Sequence, residues 1–95
     1  MMRFGNYELA PGKHPANEQG IARFANGYGA SVIRGLGTYG GTAGLWELGV
    51  IEHSGGTWDL CYDTPITDDV VGNLTESGVA DLLAKIEALP ARGAQ

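Results

Sequence analysis

Alternating apolar and polar positions organise the second half of the chain. Between Leu45 and His53, the side chains of Trp46, Leu48 and Val50 fall on one face at a period of two, the signature of a half-buried strand. The run His53-Ser54-Gly55-Gly56 supplies a turn. From Thr57 to Tyr62 the large groups Trp58, Leu60 and Tyr62 alternate again, with Asp59 and Cys61 opposite them. Two such strands predict a hairpin with one dry face. The period then changes. Val79, Leu82, Leu83, Ile86 and Leu89 follow the i, i+3, i+4, i+7 stripe of an amphipathic helix. Thr75 is a suitable N-cap, Glu76 lies in the first turn where the helix dipole favours an acid, and Pro90 ends the element. Asp81 and Lys85 are spaced for a pair on the outer face. A helix this short has little stability alone, so it is expected to lie on the Trp46, Leu48, Val50, Trp58, Leu60 and Tyr62 face.

The first half is less regular. Arg3 to Leu9 predicts one short strand, and the segment from Ala10 to Gly20, broken by two prolines and two glycines, reads as loop. Ile21 to Ala25 and Tyr28 to Arg34 predict two strands around Asn26-Gly27, a pair that suits a type I′ turn. Residues 35–44 are rich in glycine and form a connection. Pro65 ends the last strand, and Thr67 is placed to cap a short turn through Asp68, Asp69, Val70 and Val71 that closes at Gly72. The expected fold is α+β: a small antiparallel sheet of three to four strands in a meander, with one C-terminal amphipathic helix on one face. One domain spans residues 1–95, with an irregular segment at 1–20, strands at 21–63, a turn region at 64–74, the helix at 75–89 and a tail at 90–95.

Charge narrows the functional classes. The net charge is −5, and between Glu47 and Glu87 nine acids face a single base, Lys85. Binding nucleic acid through its phosphates needs clustered Lys and Arg, so that class is disfavoured. The acidic half either keeps the protein in solution or steers a basic partner. A single cysteine forms no internal disulfide, no Cys/His cluster has zinc spacing, and no run approaches the length of a membrane span. An intracellular protein without membrane insertion is the expectation.

Three constellations bear on chemistry. Gly35-Leu36-Gly37-Thr38-Tyr39-Gly40 matches G-x-G-x-x-G, but a strand follows where a dinucleotide fold needs a helix. No cofactor is therefore assigned. A weaker role remains: loop N–H groups forming a nest for a small phosphorylated ligand. Asp63, Asp68 and Asp69 gather around a strand-to-turn junction, where acid/base work or cation binding competes with first-turn capping. Capping is favoured, and no metal or catalytic residue is assigned. His14 and His53 lie in loop and turn, and Cys61 has no visible base to activate it. Tyr39 has no structural duty in the glycine loop and is a contact candidate. The binding residues expected are Tyr39, Gly40, Gly41, Thr42, Asp63, Asp68 and Asp69.

The stretches Arg23-Phe-Ala-Asn-Gly-Tyr-Gly-Ala-Ser-Val32, Gly40-Gly-Thr-Ala-Gly-Leu-Trp-Glu-Leu48 and Leu60-Cys-Tyr-Asp-Thr-Pro-Ile-Thr-Asp-Asp-Val-Val-Gly72 resemble a group of small uncharacterised proteins of tailed bacteriophages. The likeness runs from about residue 23 to Leu89, and Cys-Tyr-Asp-Thr-Pro-Ile-Thr-Asp-Asp is its most specific part. The resemblance implies a phage product acting in the cytoplasm of an infected host cell, and brings no catalytic residue with it. The expected function is a non-enzymatic accessory protein that binds a host or phage protein, as an inhibitor or counter-defence factor. The alternative is an oligomeric protein that binds or sequesters a small nucleotide signal. A homo-oligomer would suit so short a chain.

Overall fold

The computed structural model describes residues 2–14, 17–35, 37, 38, 40–66 and 70–91, excluding the side chain of Thr42. Its architecture is α+β: seven antiparallel strands and one C-terminal helix. The strands are β1 (Met2–Phe4), β2 (Tyr7–Pro11), β3 (Glu18–Arg23), β4 (Tyr28–Arg34), β5 (Trp46–Ser54), β6 (Thr57–Leu60) and β7 (Val71–Leu74). The helix α1 spans Glu76–Glu87. Strands β1 to β6 lie in sequence order, each paired with the next. The nine residues of β5 give it room for two partners along one edge, β6 at its C-terminal half and β7 at its N-terminal half. No helix among the described residues is long and apolar enough to cross a membrane.

The sheet has more strands than the three to four expected, and the additions lie at both ends. Arg3 to Leu9 is not one strand but a hairpin, because Gly5 takes φ +59° at the first central position of a two-residue turn. The segment expected as loop from Ala10 to Gly20 contributes strand at each end. Pro11 sits at the end of β2 paired with Gly20, where its missing N–H is tolerated. The turn assigned to Val71 and Gly72 is instead β7, held against Trp46 and Leu48 of β5.

The helix lies over the middle of the sheet, contacting β4, β1, β5 and β7. Val79, Leu83 and Ile86 are fully buried, and Leu82 and Leu89 flank them partly covered. Beneath α1 the paired small residues Ala22 and Ala30 give room for its side chains, between Leu9 on one side and Val32, Leu48 and Val50 on the other. Phe4 of β1 meets the Trp46 ring of β5 edge to face at 5.0 Å between centroids. Strands four places apart in the sheet touch through these two rings, so the sheet is curled around α1.

Both ends of α1 are satisfied. The Thr75 hydroxyl accepts the Gly78 N–H at 3.1 Å, as expected of an N-cap. At the other end the Asn26 side-chain amide donates to the carbonyls of Ile86, Glu87 and Leu89 at 2.9, 3.1 and 3.1 Å. The same side chain accepts the Tyr28 N–H through Oδ1 at 3.0 Å. The type I′ turn expected at Asn26-Gly27 does not form, because only Gly27 has positive φ. The Gly27 N–H instead bonds back to Phe24 at 3.1 Å, in a three-residue loop closed by a left-handed glycine. No ion pair joins Asp81 and Lys85 among the described residues.

Asn26→Asp keeps the oxygen that Tyr28 requires and sets a carboxylate against three carbonyls at the negative end of the helix dipole. We expect it to lower stability by about 1–3 kcal/mol, read as a lower urea midpoint. An unchanged midpoint would show that Asn26 serves the turn alone.

Candidate functional site

The two-residue turn Gly55-Gly56, with φ +58° and +91°, sets the register of the β5–β6 hairpin. It pairs Ser54 with Thr57, His53 with Trp58 and Ile51 with Leu60. Trp58 and Leu60 therefore share a face with Ile51 and Gly49, opposite to Trp46, Leu48 and Val50. This corrects the expectation that all six large groups lie beneath the helix. Cys61 takes the core position: its N–H donates to Val50 at 2.8 Å and the residue is only 6% exposed. Leu60 and Tyr62 are left 40% and 52% exposed.

The sheet consequently has a second apolar surface on the side away from α1. Ile21 and Ile51 are buried there, and Gly49 lies under Leu60 and Val70, so that an added β-carbon would meet them at 2.8 and 3.2 Å. Beside them runs a shallow groove of about 190 Å³ lined by residues that include Ile33, Trp58, Leu60 and Val70. A larger groove of about 450 Å³ lies between the segment following β2 and the β5–β6 turn, with Trp58 on one wall and Lys13, His14 and Arg23 around it.

The expected binding residues separate into three groups. Tyr39, Asp68 and Asp69, with the side chain of Thr42, lie outside the described residues. Gly40 and Gly41 belong to a loop that spends its hydrogen bonds on itself. Gly40 accepts from Ala43 and Leu45 at 3.0 and 2.9 Å, and the N–H groups of Gly41 and Gly44 donate to Thr38 and Gly41 at 3.2 and 3.0 Å. The Thr38 hydroxyl donates to the Gly35 carbonyl at 2.7 Å and accepts the Gly35 N–H at 3.1 Å. An anion nest needs N–H groups pointing outward together, and these are turned inward. The glycines serve close packing: a β-carbon on Gly41 would collide with the Gly35 carbonyl, and one on Gly40 with the backbone and side chain of Asn73.

Asp63 is committed to Cys61, whose thiol donates to its carboxylate at 2.9 Å. Burial, and then this bond, push the thiol up to about 11, the reverse of the depression a nucleophilic cysteine needs. His53 is tied through Nε2 to the Phe24 carbonyl at 2.9 Å. His14 accepts the Asn17 N–H at Nδ1, 3.2 Å away. Among the described residues, no three His, Cys, Asp or Glu side chains converge as a metal site would require.

No protein-family model, curated protein or solved structure matches this chain. The site must be argued from its own geometry. Sequence reasoning passed over Trp58 by placing it in the core, and passed over Lys13 and Arg23 altogether. Counting pairs outward from Gly55-Gly56 would have found Trp58. For Lys13 and Arg23 the sequence carries no such signal, since ten residues separate them.

The Cys61–Asp63 pair has a consequence for stability. In the unfolded chain the thiol titrates near its ordinary 9.0, below its folded value of about 11. Stability is therefore undiminished below pH 9 and falls as pH rises towards 11, because the unfolded state releases the proton first. Tyr7, raised by its hydrogen bond to Glu87, acts in the same direction. Urea midpoints measured from pH 8 to 11 should fall less steeply for Cys61→Ala than for the wild type. Equal slopes would mean that Cys61 titrates normally in the fold.

Proposed function

We propose that this protein is a non-catalytic bacteriophage accessory protein that binds a host or phage protein inside the infected cell and blocks or redirects it. The observation that carries this reading is the open edge of β6. Among the described residues, strand β6 is paired on one side only, with β5, and the two most exposed large apolar residues, Leu60 and Tyr62, lie in and just beyond it. An unpaired edge offers backbone donors and acceptors to an incoming strand, and exposed aromatic groups commonly anchor such contacts. The partner segment that fits is extended, apolar at alternate positions and basic between them. Its apolar groups would meet Leu60, Tyr62 and the small groove by Val70, and its charges would meet Asp59 and Glu52 nearby.

The state of the reactive groups supports a binding role over a catalytic one. Cys61 holds its proton, Asp63 accepts from it, and His53 is bonded to backbone. The phage context rests on the sequence resemblance.

Capture from an infected-cell lysate tests the proposal. The wild-type protein should retain one protein at near-stoichiometric level, and Tyr62→Ser should reduce retention about tenfold, as expected for an aromatic anchor worth about 1.4 kcal/mol. Tyr62 is half exposed, so the substitution leaves the fold intact. Recovery of nothing at that level, or equal capture by the variant, overturns the proposal.

A further inference from the structure

The larger groove on the helix-free side of the sheet gathers a charge pattern foreign to the rest of the molecule. The chain carries eleven acids against six Lys and Arg. Arg3 is paired with Glu8, and Arg34 with Glu18 at 3.0 Å. Lys13 and Arg23 form no ion pair with any described residue, and both line this groove. No carboxylate of a described residue lines it. Its floor is the buried Ile21, and one wall is the half-buried Trp58.

The wall opposite Trp58 is held in place by the Gln19 side chain. Its Oε1 accepts the His14 N–H at 3.0 Å while its Nε2 donates to the Ser31 hydroxyl at 3.1 Å. The Gly12 N–H closes the same wall by donating to the Gln19 carbonyl at 2.9 Å. A β-carbon at Gly12 would meet the Gln19 side chain, which would then have to leave this position. The cations thus flank a groove whose backbone is already ordered.

We infer that this groove binds a small phosphorylated ligand bearing a flat aromatic ring, the chemical class of a free nucleotide. Unpaired Lys and Arg favour phosphate, with Arg able to bond two oxygens at once. An indole face stacks on any nucleobase. The volume of about 450 Å³ lies within the range of about 300–1,000 Å³ typical of small-molecule sites. The acidic remainder of the protein repels a polyanion, which selects a single nucleotide over a nucleic-acid chain. The site shares Trp58 with β6 but does not use Leu60, Tyr62 or the glycine loop, so it is tested independently of the protein-binding reading.

Calorimetric titration of the full chain with AMP, GMP, CMP and UMP tests it, with inorganic phosphate, free nucleosides and a 5′-phosphorylated oligonucleotide as comparisons. At least one mononucleotide should bind about tenfold tighter than phosphate or its nucleoside alone. The double substitution Lys13→Ala, Arg23→Ala should weaken it about tenfold or more, while Lys85→Ala, on the helix, should change it by less than about twofold. Should the double variant fold poorly, nucleotide-induced NMR shifts on the wild-type protein must centre on Lys13, Arg23 and the Trp58 indole. Absence of binding at millimolar nucleotide, shifts centred elsewhere, affinity indifferent to the double substitution, or tighter binding of the oligonucleotide each overturns the inference.

Discussion

The fold depends on burying one stripe of α1 in a curled sheet. Val79, Leu83 and Ile86 are fully covered, and a helix of twelve residues has too few internal bonds to persist without that cover. The sheet in turn needs the helix, because Leu9, Val32, Leu48 and Val50 are buried on the face that it covers. The Phe4–Trp46 contact closes the curl, and the Asn26 amide fastens the helix end to the β3–β4 turn. Residues far apart in sequence are therefore locked by a few contacts at the rim of one core.

With one face of the sheet assigned to the helix, the other carries apolar groups of its own. The Gly55-Gly56 turn decides which residues go there, since side chains alternate with a period of two and a shift of one residue would exchange Cys61 for Leu60. Cys61 goes inward, where its thiol donates to Asp63 and burial raises its pKa above the ordinary value. Trp58 and Leu60 go outward, next to Ile51 and Gly49. The acidic half of the chain thus supplies both a core strand and an exposed edge.

Arg34 shows how the glycine loop is bound into this frame. Its guanidinium stacks over Trp46 at 4.2 Å, pairs with Glu18, and donates to the Gly44 carbonyl at 3.3 Å. One side chain joins the start of β3, the end of the loop and the start of β5. The loop's conformation follows from this anchoring and from its internal hydrogen bonds, which explains its many glycines without invoking a phosphate. Composition marks residues 35–44 as a loop whose N–H groups could form a nest, but it does not carry hydrogen-bond direction, and the N–H groups of Gly41 and Gly44 donate within the loop.

The sequence by itself determined the elements whose periodicity is strong: α1 with its Thr75 cap and buried stripe, the Trp46–Val50 face, and the β5–β6 hairpin. It also determined the α+β class, because a period of two followed by a period of 3.6 admits little else. It held the register too, in the two glycines of a tight turn, although the paired faces were assigned by residue size instead of by counting. Only the tertiary structure split the expected strand at Arg3–Leu9 into β1 and β2 and made β7 a strand. Each is short and weakly patterned, and each gains its pairing from a neighbour already in place. The larger groove belongs to the same category. Lys13, Arg23 and Trp58 line one groove because the sheet brings the end of β2, β3 and β6 to a common face with β4 and β5 between β3 and β6, and no local propensity encodes that arrangement.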